Sequence, residues 1–326
     1  MKIGLRIPCY RRWCRAAEVR RIAETAEALG YDSLWVQDHL VAPIGTAEET
    51  AVGGTSDFLK AEGGIARPPA PPTSLFDYYA GDDWWLDPYP LWAFLAGITS
   101  RVTLASDILV LPYRNPIVQA KMIGTIDQLS NGRLLIGTGT GHVAAESKAL
   151  GLDYAQRGRM HDEYLRAIRA ILGSAEASFA GEFVSFGPLR TLIRPVQSPA
   201  PPFYTGGNGP RAIRRAIELG DGWLPNAADA EGLAKGIALL EKTAAEMGRT
   251  ELPPVAVSLP NRIRLATPGA RAGSRPLMRA DEAIAALKAY EALGVEHVSL
   301  GLLMPNADLY IEQIEHFARD VLPAFR

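Results

Sequence analysis

Cysteine and histidine are both scarce in this chain, and their spacing argues against two kinds of site. Only two cysteines, Cys9 and Cys14, occur in 326 residues, which is too few for a disulfide framework. Neither they nor the five histidines follow a zinc-ligand pattern such as H-x-H or H-E-x-x-H. We therefore expect no metal site and a reducing, cytoplasmic environment.

The chain also lacks an excess of charge and any long apolar run. Its formal net charge is −2, which does not indicate a nucleic acid or an anionic membrane as a partner. No apolar stretch reaches the roughly 20 residues of a transmembrane helix, and no G-x-S-x-G elbow indicates an α/β-hydrolase. With 48% hydrophobic and 21% charged residues, the chain has the composition of a soluble globular protein, and we expect a small-molecule partner.

Strand-like and helix-like segments alternate from end to end. Eight apolar runs without polar alternation are each followed by a helical pattern, which predicts an α/β fold, a (β/α)8 barrel, in one domain over residues 1–326. Two segments interrupt the regularity, 41–83 after the second strand and 173–200 after the fourth unit. The second could form a small hairpin or an extended excursion. Both insertions follow the barrel end where active sites lie, so they are either candidate lids or substrate walls, or plain surface insertions.

A glycine-rich loop follows the fifth predicted strand, in the stretch FYTGGNGPRAIRRAIELGDGWLP. It contains Gly206, Gly207, Asn208 and Gly209, and Pro210 then occupies the first helical position, where no amide hydrogen is needed. Glycines let the main chain approach a ligand closely, and the first amides of a helix donate to anions. The loop is therefore a candidate phosphate site.

Polar pairs stand near the ends of two further predicted strands. Asp38 and His39 end the second strand, where a histidine could transfer a proton near neutral pH, or where the pair could simply close the strand with hydrogen bonds. Ser106 and Asp107 interrupt the apolar third strand. Because buried polar residues are costly unless paired, they indicate either a bulge beside the site or an inward polar residue with a partner.

The fourth strand runs into GTGTGHVAAES. Gly139 and Gly141 suit close approach of the main chain to a flat ligand better than they suit a dinucleotide fingerprint, because no well-placed acidic residue ends the next strand. His142 and Glu146 follow directly. Each could face a ligand or cap the next helix.

Four of these stretches together resemble the bacterial luciferase-like superfamily, and especially its deazaflavin-dependent branch. They are ETAEALGYDSLWVQDHL, ITSRVTLASDILVLPYRNPIVQAKMIGTIDQLSNGRLLIGTGTG, ALGLDYAQRGRMHDEYLRAI and TGGNGPRAIRRAIELGDGWLP, in that order. The resemblance implies a barrel that binds a flavin-like ring at its C-terminal mouth. It also implies a homodimer, which is usual in the family.

The resemblance also assigns roles to residues. It implies a non-proline cis peptide at Asp107–Ile108 backing the ring, and cofactor phosphate on the loop that starts at Gly206. Asp38 and His39 match an aspartate–histidine pair that contacts the cofactor and takes part in proton transfer. Where sugar-phosphate oxidising relatives place a glutamate acid, this chain has His142, so the cofactor is carried over and the substrate is not.

The activity implied is hydride transfer between coenzyme F420 and an unidentified small organic substrate, with His39 and His142 as catalytic residues. Tyr78, Tyr79, Trp84 and Trp85 could form an aromatic wall or merely pack the first insertion. One alternative is a monooxygenase that uses flavin mononucleotide (FMN) and dioxygen, and another is a cofactor-binding protein without activity. A barrel lyase is less favoured because lysines are scarce at the strand ends.

Overall fold

Eight parallel strands close into a barrel in this computed structural model, which describes residues 1–10, 12–42, 84–226, 229–259, 263, 265–268, 277–302 and 306–326. The strands of the described residues are β1 (Lys2–Arg6), β2 (Ser33–Val36), β3 (Thr103–Val110), β4 (Leu134–Gly139), β5 (Glu176–Ala180), β6 (Ser185–Arg190), β7 (Phe203–Gly206), β8 (Gly222–Leu224), β9 (Val255–Leu259) and β10 (Val295–Leu300). The barrel order is β1-β10-β9-β8-β7-β4-β3-β2. This confirms the predicted (β/α)8 barrel.

Helices follow the barrel strands on the outside. Those of the described residues are α1 (Ala16–Ala28), α2 (Pro88–Ile98), α3 (Pro116–Ser130), α4 (Ala144–Ala149), α5 (Arg157–Gly173), α6 (Pro210–Leu219), α7 (Ala230–Glu246), α8 (Ala280–Ala292) and α9 (Ala307–Asp320). The sequence contains capping residues at the N-termini of several helices. Asp87 caps α2 by accepting from Tyr89 N, and Asn115 caps α3 by accepting from Ile117 N, each with a proline at the first helical position.

The apolar side chains form two clusters, one on each side of the barrel wall. The larger cluster fills the layer between strands and helices. The smaller one lies inside the barrel and consists of Trp35, Ala105, Leu135, Leu224 and Ala256, with Ile108 and Tyr204 packed against them. A filled interior means that any ligand has to bind at the mouth and not within the barrel.

The second insertion contains the expected hairpin, in which β5 and β6 pair antiparallel. The first insertion lies almost entirely in residues 43–83, outside the described residues.

Strand β3 is irregular where the sequence indicated a bulge. Its pairing with β4 runs from Leu104↔Leu134 to Ser106↔Ile136, shifts, and resumes at Leu109↔Thr138. The peptide bond between Asp107 and Ile108 is cis, as the resemblance implied. The shift lies at the end of β3 that faces the barrel mouth.

Candidate active site

The carboxyl ends of the strands bring most of the sequence-predicted residues to one end of the barrel. His39 follows β2, Ile108 lies in the last part of β3, His142 follows β4, and the loop of residues 206–209 follows β7. Because parallel strands end at the same rim, residues far apart in the sequence meet there.

His39 forms a hydrogen-bonded pair with a carboxylate from the far side of the sequence. Its Nδ1 lies 2.9 Å from Oε2 of Glu146, a residue of α4 that is separated from it by 107 positions. The His39 side chain is 10% exposed and that of Glu146 is fully buried. An ionised carboxylate can only accept, so Nδ1 of His39 carries a proton and donates it to this bond.

Three further donors hold the Glu146 carboxylate. Oε1 accepts from the main-chain N–H groups of Leu40 at 2.6 Å and Val41 at 3.3 Å, and Oε2 accepts from the Tyr113 hydroxyl at 2.8 Å. Burial raises the pKa of Glu146, but the hydrogen bonds from His39, Leu40 and Tyr113 outweigh it, and the pKa lies below its usual value. Glu146 is therefore an ionised, fixed acceptor.

Aromatic rings surround His39. The Trp85 ring lies 4.6 Å from the His39 ring between centroids and meets it edge-on, and the His142 ring lies 5.6 Å away in a similar orientation. Tyr10 also packs against Trp85, with centroids 5.0 Å apart. The two predicted catalytic histidines thus lie side by side.

Asp38 does not belong to the cluster of residues around His39. Its buried carboxylate accepts from Arg114 through two nitrogens, at 2.7 and 2.9 Å, and from Val110 N at 2.9 Å. Burial raises the pKa of Asp38 even though Arg114 lowers it. This pair ties the end of β2 to the end of β3, and its predicted contact with the cofactor stays a prediction.

Ser106 and Asp107 are both held inside the protein. The Ser106 hydroxyl donates to Gly137 O at 2.9 Å. Oδ2 of Asp107 accepts from Arg6 Nε at 2.6 Å and from the hydroxyl groups of Ser299 and Ser258 at 2.7 and 3.2 Å. Both residues therefore have hydrogen-bond partners inside the protein, which was one of the two alternatives from the sequence. Their predicted part in cofactor binding stays a prediction.

Ile108 occupies the space that two glycines, Gly139 and Gly206, leave at the mouth. A Cβ at Gly139 would overlap Ile108 Cδ1, and one at Gly206 would lie 3.2 Å from Ile108 Cγ2 and 3.0 Å from Thr138 O. Gly141 has φ +80° and a Cβ there would lie 3.1 Å from the Tyr113 hydroxyl. The glycines therefore let the ends of β4 and β7 close around this half-buried side chain.

The glycine loop of residues 206–209 is fixed by Asn208. Its side-chain amide donates to Asn226 O at 2.8 Å and its carbonyl accepts from Asn226 N at 2.9 Å, which ties the loop to the end of β8. Gly207 has φ +116°, and Gly209 precedes α6 without a side-chain cap. Within the described ranges no residue accepts a hydrogen bond from the main-chain N–H groups of Asn208 and Gly209. These two main-chain donors before the helix therefore have no acceptor among the described residues, as a site for an anion requires.

A family model described as "Luciferase-like monooxygenase" matches residues 71–264, more than half of the chain. The chain belongs to this luciferase-like family. A relative, the uncharacterized protein Rv0953c of Mycobacterium tuberculosis, is 30% identical over 72% of this chain and 76% of its own length.

Two solved structures share the luciferase-like fold. The monooxygenase RslO1 from Streptomyces bottropensis has a TM-score of 0.74 at 19% identity, covering 100% of both chains. An F420-dependent secondary alcohol dehydrogenase in complex with an F420–acetone adduct also has a TM-score of 0.74 at 19% identity, covering 100% of this chain and 99% of that one. At this identity the likeness establishes the fold alone.

Sequence reasoning on this luciferase-like chain named Glu146 only as a residue that could face a ligand or cap the next helix, and it missed Tyr113. The signal for Glu146 was its place four positions after His142, but nothing in the sequence indicated that its partner would be His39. Tyr78 and Tyr79 lie outside the described residues. In the described part of the chain no cluster of His, Cys, Asp and Glu could hold a metal ion, and no helix is long and apolar enough to cross a membrane.

Proposed function

We propose that this luciferase-like protein is an oxidoreductase that transfers a hydride between coenzyme F420 and a small organic substrate. The observation that carries the proposal is the His39–Glu146 pair, which faces Trp85 and His142 at the same barrel end as the glycine loop. A fixed proton-transfer group beside a phosphate-binding loop suits a reaction in which hydride and proton move separately.

The residues at the mouth fit a phosphorylated flavin-like cofactor. The main-chain N–H groups of Asn208 and Gly209 would hold its phosphate, and Ile108 with Gly139 would lie against its ring. Arg6 already neutralises the buried carboxylate of Asp107, so no unpaired carboxylate of that pair opposes an anionic ligand. Such a group, when bound, supplies the carbon that gives or accepts hydride.

The role of the protein's own residues in the reaction is to hold and transfer the proton. Glu146 keeps His39 in the tautomer with Nδ1 protonated, so Nε2 is the position that exchanges a proton with the substrate oxygen or nitrogen. Tyr113 and the Leu40 amide fix Glu146, which removes the need to reorganise during reaction. His142, beside His39, is a second proton-transfer group.

Titration of the purified protein with F420 and with FMN, followed by fluorescence, tests the cofactor. We expect F420 to bind more tightly. Asn208→Asp should weaken both, because it places a negative charge in the loop and removes the donor to Asn226. Tighter binding of FMN than of F420 by the wild-type protein would contradict the proposal.

One observation favours a second candidate. The monooxygenase RslO1 is as similar in fold as the F420-dependent dehydrogenase, so an FMN monooxygenase that consumes dioxygen is the alternative. Oxygen uptake with reduced FMN and not with reduced F420 would decide for it. A third possibility, binding without catalysis, requires that His39→Ala leaves every turnover unchanged.

The homodimer implied by the family resemblance and a cytoplasmic location are also proposals. The two free, buried cysteines support a reducing compartment. Sedimentation equilibrium of the full chain would test the dimer.

A further inference from the structure

Trp85, which lies between the first insertion and α2, contacts the loop after β2 at two places. Its indole N–H donates to Gln37 O at 3.1 Å. Its ring lies against that of His39, two positions further along the loop, with centroids 4.6 Å apart and an angle of 69° between the ring planes. One side chain therefore holds both the main chain before His39 and the imidazole itself.

The hydrogen bond from His39 to Glu146 does not by itself fix the imidazole. It restrains one ring nitrogen, while the terminal torsion of a histidine side chain has a broad range of allowed values. A second ring against the imidazole narrows this range, because an edge-on aromatic contact depends on the angle between the two rings. Trp85 thus restrains the plane of the His39 ring, and with it the direction of Nε2.

The indole of Trp85 is itself held from the side of β1. Tyr10, in the loop after β1, packs on it with centroids 5.0 Å apart and an angle of 34° between the planes. The next residue, Leu86, donates its main-chain N–H to Cys9 O at 2.9 Å. Both the ring and the main chain of this segment are therefore fixed, as a wall for His39 requires.

A further tie connects the same segment to the end of β3. Asp87 accepts from Arg114 at 2.6 Å, and Arg114 also donates to Asp38 through two bonds of 2.7 and 2.9 Å. The Asp38 side chain is fully buried and that of Arg114 is 13% exposed, so water and salt screen this ion pair only weakly. Residues 85–87 are thus linked to all three residues from 37 to 39, and to Asp38 through Arg114.

We propose that Trp85 is a positioning residue, which holds the His39 imidazole in the orientation required for proton transfer. The inference rests on the proposed function only in naming the proton as that of the hydride-transfer reaction. Trp85 acts through His39 and needs no contact with the substrate for this role. The orientation of His39 therefore depends on residues 85–87 as well as on Glu146.

Nitrogen and carbon NMR of the full chain, with isotope-labelled histidine and without cofactor, tests this role. The nitrogen shifts show which ring nitrogen is protonated, carbon relaxation at Cε1 shows how mobile the ring is, and His39→Gln identifies the signals of His39. In mildly alkaline buffer we expect one rigid form with Nδ1 protonated in the wild-type protein. Trp85→Leu removes both the wall and the donor to Gln37, so the ring should become mobile and show both neutral tautomers.

Two further variants separate positioning from a loss of stability. Trp85→Phe keeps a flat ring but loses the donor to Gln37, so the change at His39 should be smaller than in Trp85→Leu. Trp92, buried in α2, also donates its indole N–H to a main-chain oxygen, that of Ala105, at 3.1 Å. Trp92→Phe should therefore lower the urea midpoint at least as much as Trp85→Phe, but leave the signals of His39 unchanged.

A wild-type tautomer and wild-type ring mobility in Trp85→Leu, or in Trp85→Phe where the leucine variant does not fold, overturns the inference. The same change at His39 in Trp92→Phe overturns it as well, because the change would then follow from lost stability alone. The cofactor proposal fails separately. Absence of F420 and FMN binding, with a His39 ring whose state depends on Trp85, contradicts that proposal and leaves the positioning role standing.

Discussion

At the scale of single residues, the site depends on which of two neighbouring side chains reaches His39. His142 lies directly after the β4 glycines, but its ring only contacts His39 edge-on, while Glu146, in the first turn of α4, makes the hydrogen bond. His142 precedes the helix, which begins at Ala144, so the two side chains are placed by different parts of the chain. In this chain Glu146 thus contributes the buried negative charge beside His39.

The pKa of Glu146 tests this pairing. Burial alone raises it, and the bond from His39 is the largest of the effects that lower it. We therefore expect His39→Ala to raise the pKa of Glu146, measured by carbon NMR titration of the labelled carboxyl. Tyr113→Phe removes one neutral donor and serves as the matched control, with a smaller rise. An unchanged pKa in His39→Ala would show that the pair does not form in solution.

At the scale of elements, the mouth is shaped by how β4 accommodates the irregular end of β3. Gly139 faces Ile108 Cδ1, whereas Gly137 faces the main-chain oxygen of Ser106. A side-chain end can rotate away from a new Cβ, but main chain cannot move without loss of the β3–β4 pairing. The two glycines should therefore respond differently to the same substitution.

We expect Gly139→Ala to lower the free energy of unfolding by about 1–3 kcal/mol, the usual effect of overpacking. Ile108→Val removes Cδ1, so the double variant should recover most of that loss, whereas Gly137→Ala should not be rescued by it. Urea unfolding of the single and double variants measures the coupling. Additive effects of Gly139→Ala and Ile108→Val would contradict the predicted contact.

The barrel itself was readable from the sequence because its signals are local. Apolar runs bounded by glycine or proline, and caps such as Asp87 and Asn115, indicate each strand and helix without knowledge of the rest. Even the irregular point in β3 was indicated by polar residues within an apolar run. For the second insertion the sequence left a hairpin and an extended excursion open, and the structure has the hairpin.

Side-chain direction at the mouth could not be read in the same way. Asp38 and His39 are adjacent in the loop after β2, where no regular period determines the direction of either side chain. Only the closed barrel decides that Asp38 meets Arg114 while His39 meets Glu146. Both partners come from later strand–helix units, so the choice depends on barrel closure and not on local pattern.

At the scale of the whole molecule, two histidines are buried in the neutral form far from each other. His161 in α5 bonds to Thr138 and Asp162, and His297 at the lower end of the barrel interior bonds to Ser33, 2.6 Å away. Burial, the largest cause in both, lowers the pKa of each from 6.5 to about 4. Neither is hydrogen-bonded to His39 or Glu146, so their protonation tests the fold and not that pair.

This predicts a loss of stability in mild acid. Below pH 6.5 these histidines take up protons in the unfolded chain, whereas in the folded chain they stay neutral until about pH 4. The free energy of unfolding that is present above pH 6.5 therefore falls across that window. Each histidine contributes about 3 kcal/mol over the window, or about 1.4 kcal/mol per pH unit. The buried carboxyls of Asp38 and Asp107 have raised pKa values and act with the opposite sign.

Urea unfolding of variants at a series of pH values isolates the histidine part. We expect His297→Gln and His161→Gln each to reduce the slope of unfolding free energy against pH by about 1.4 kcal/mol per unit between pH 6.5 and 4. Lys242→Gln removes an exposed charge on α7 and should leave the slope unchanged. A wild-type slope in both histidine variants would mean that these side chains take up protons in the folded barrel, and that its interior is open to water at both places.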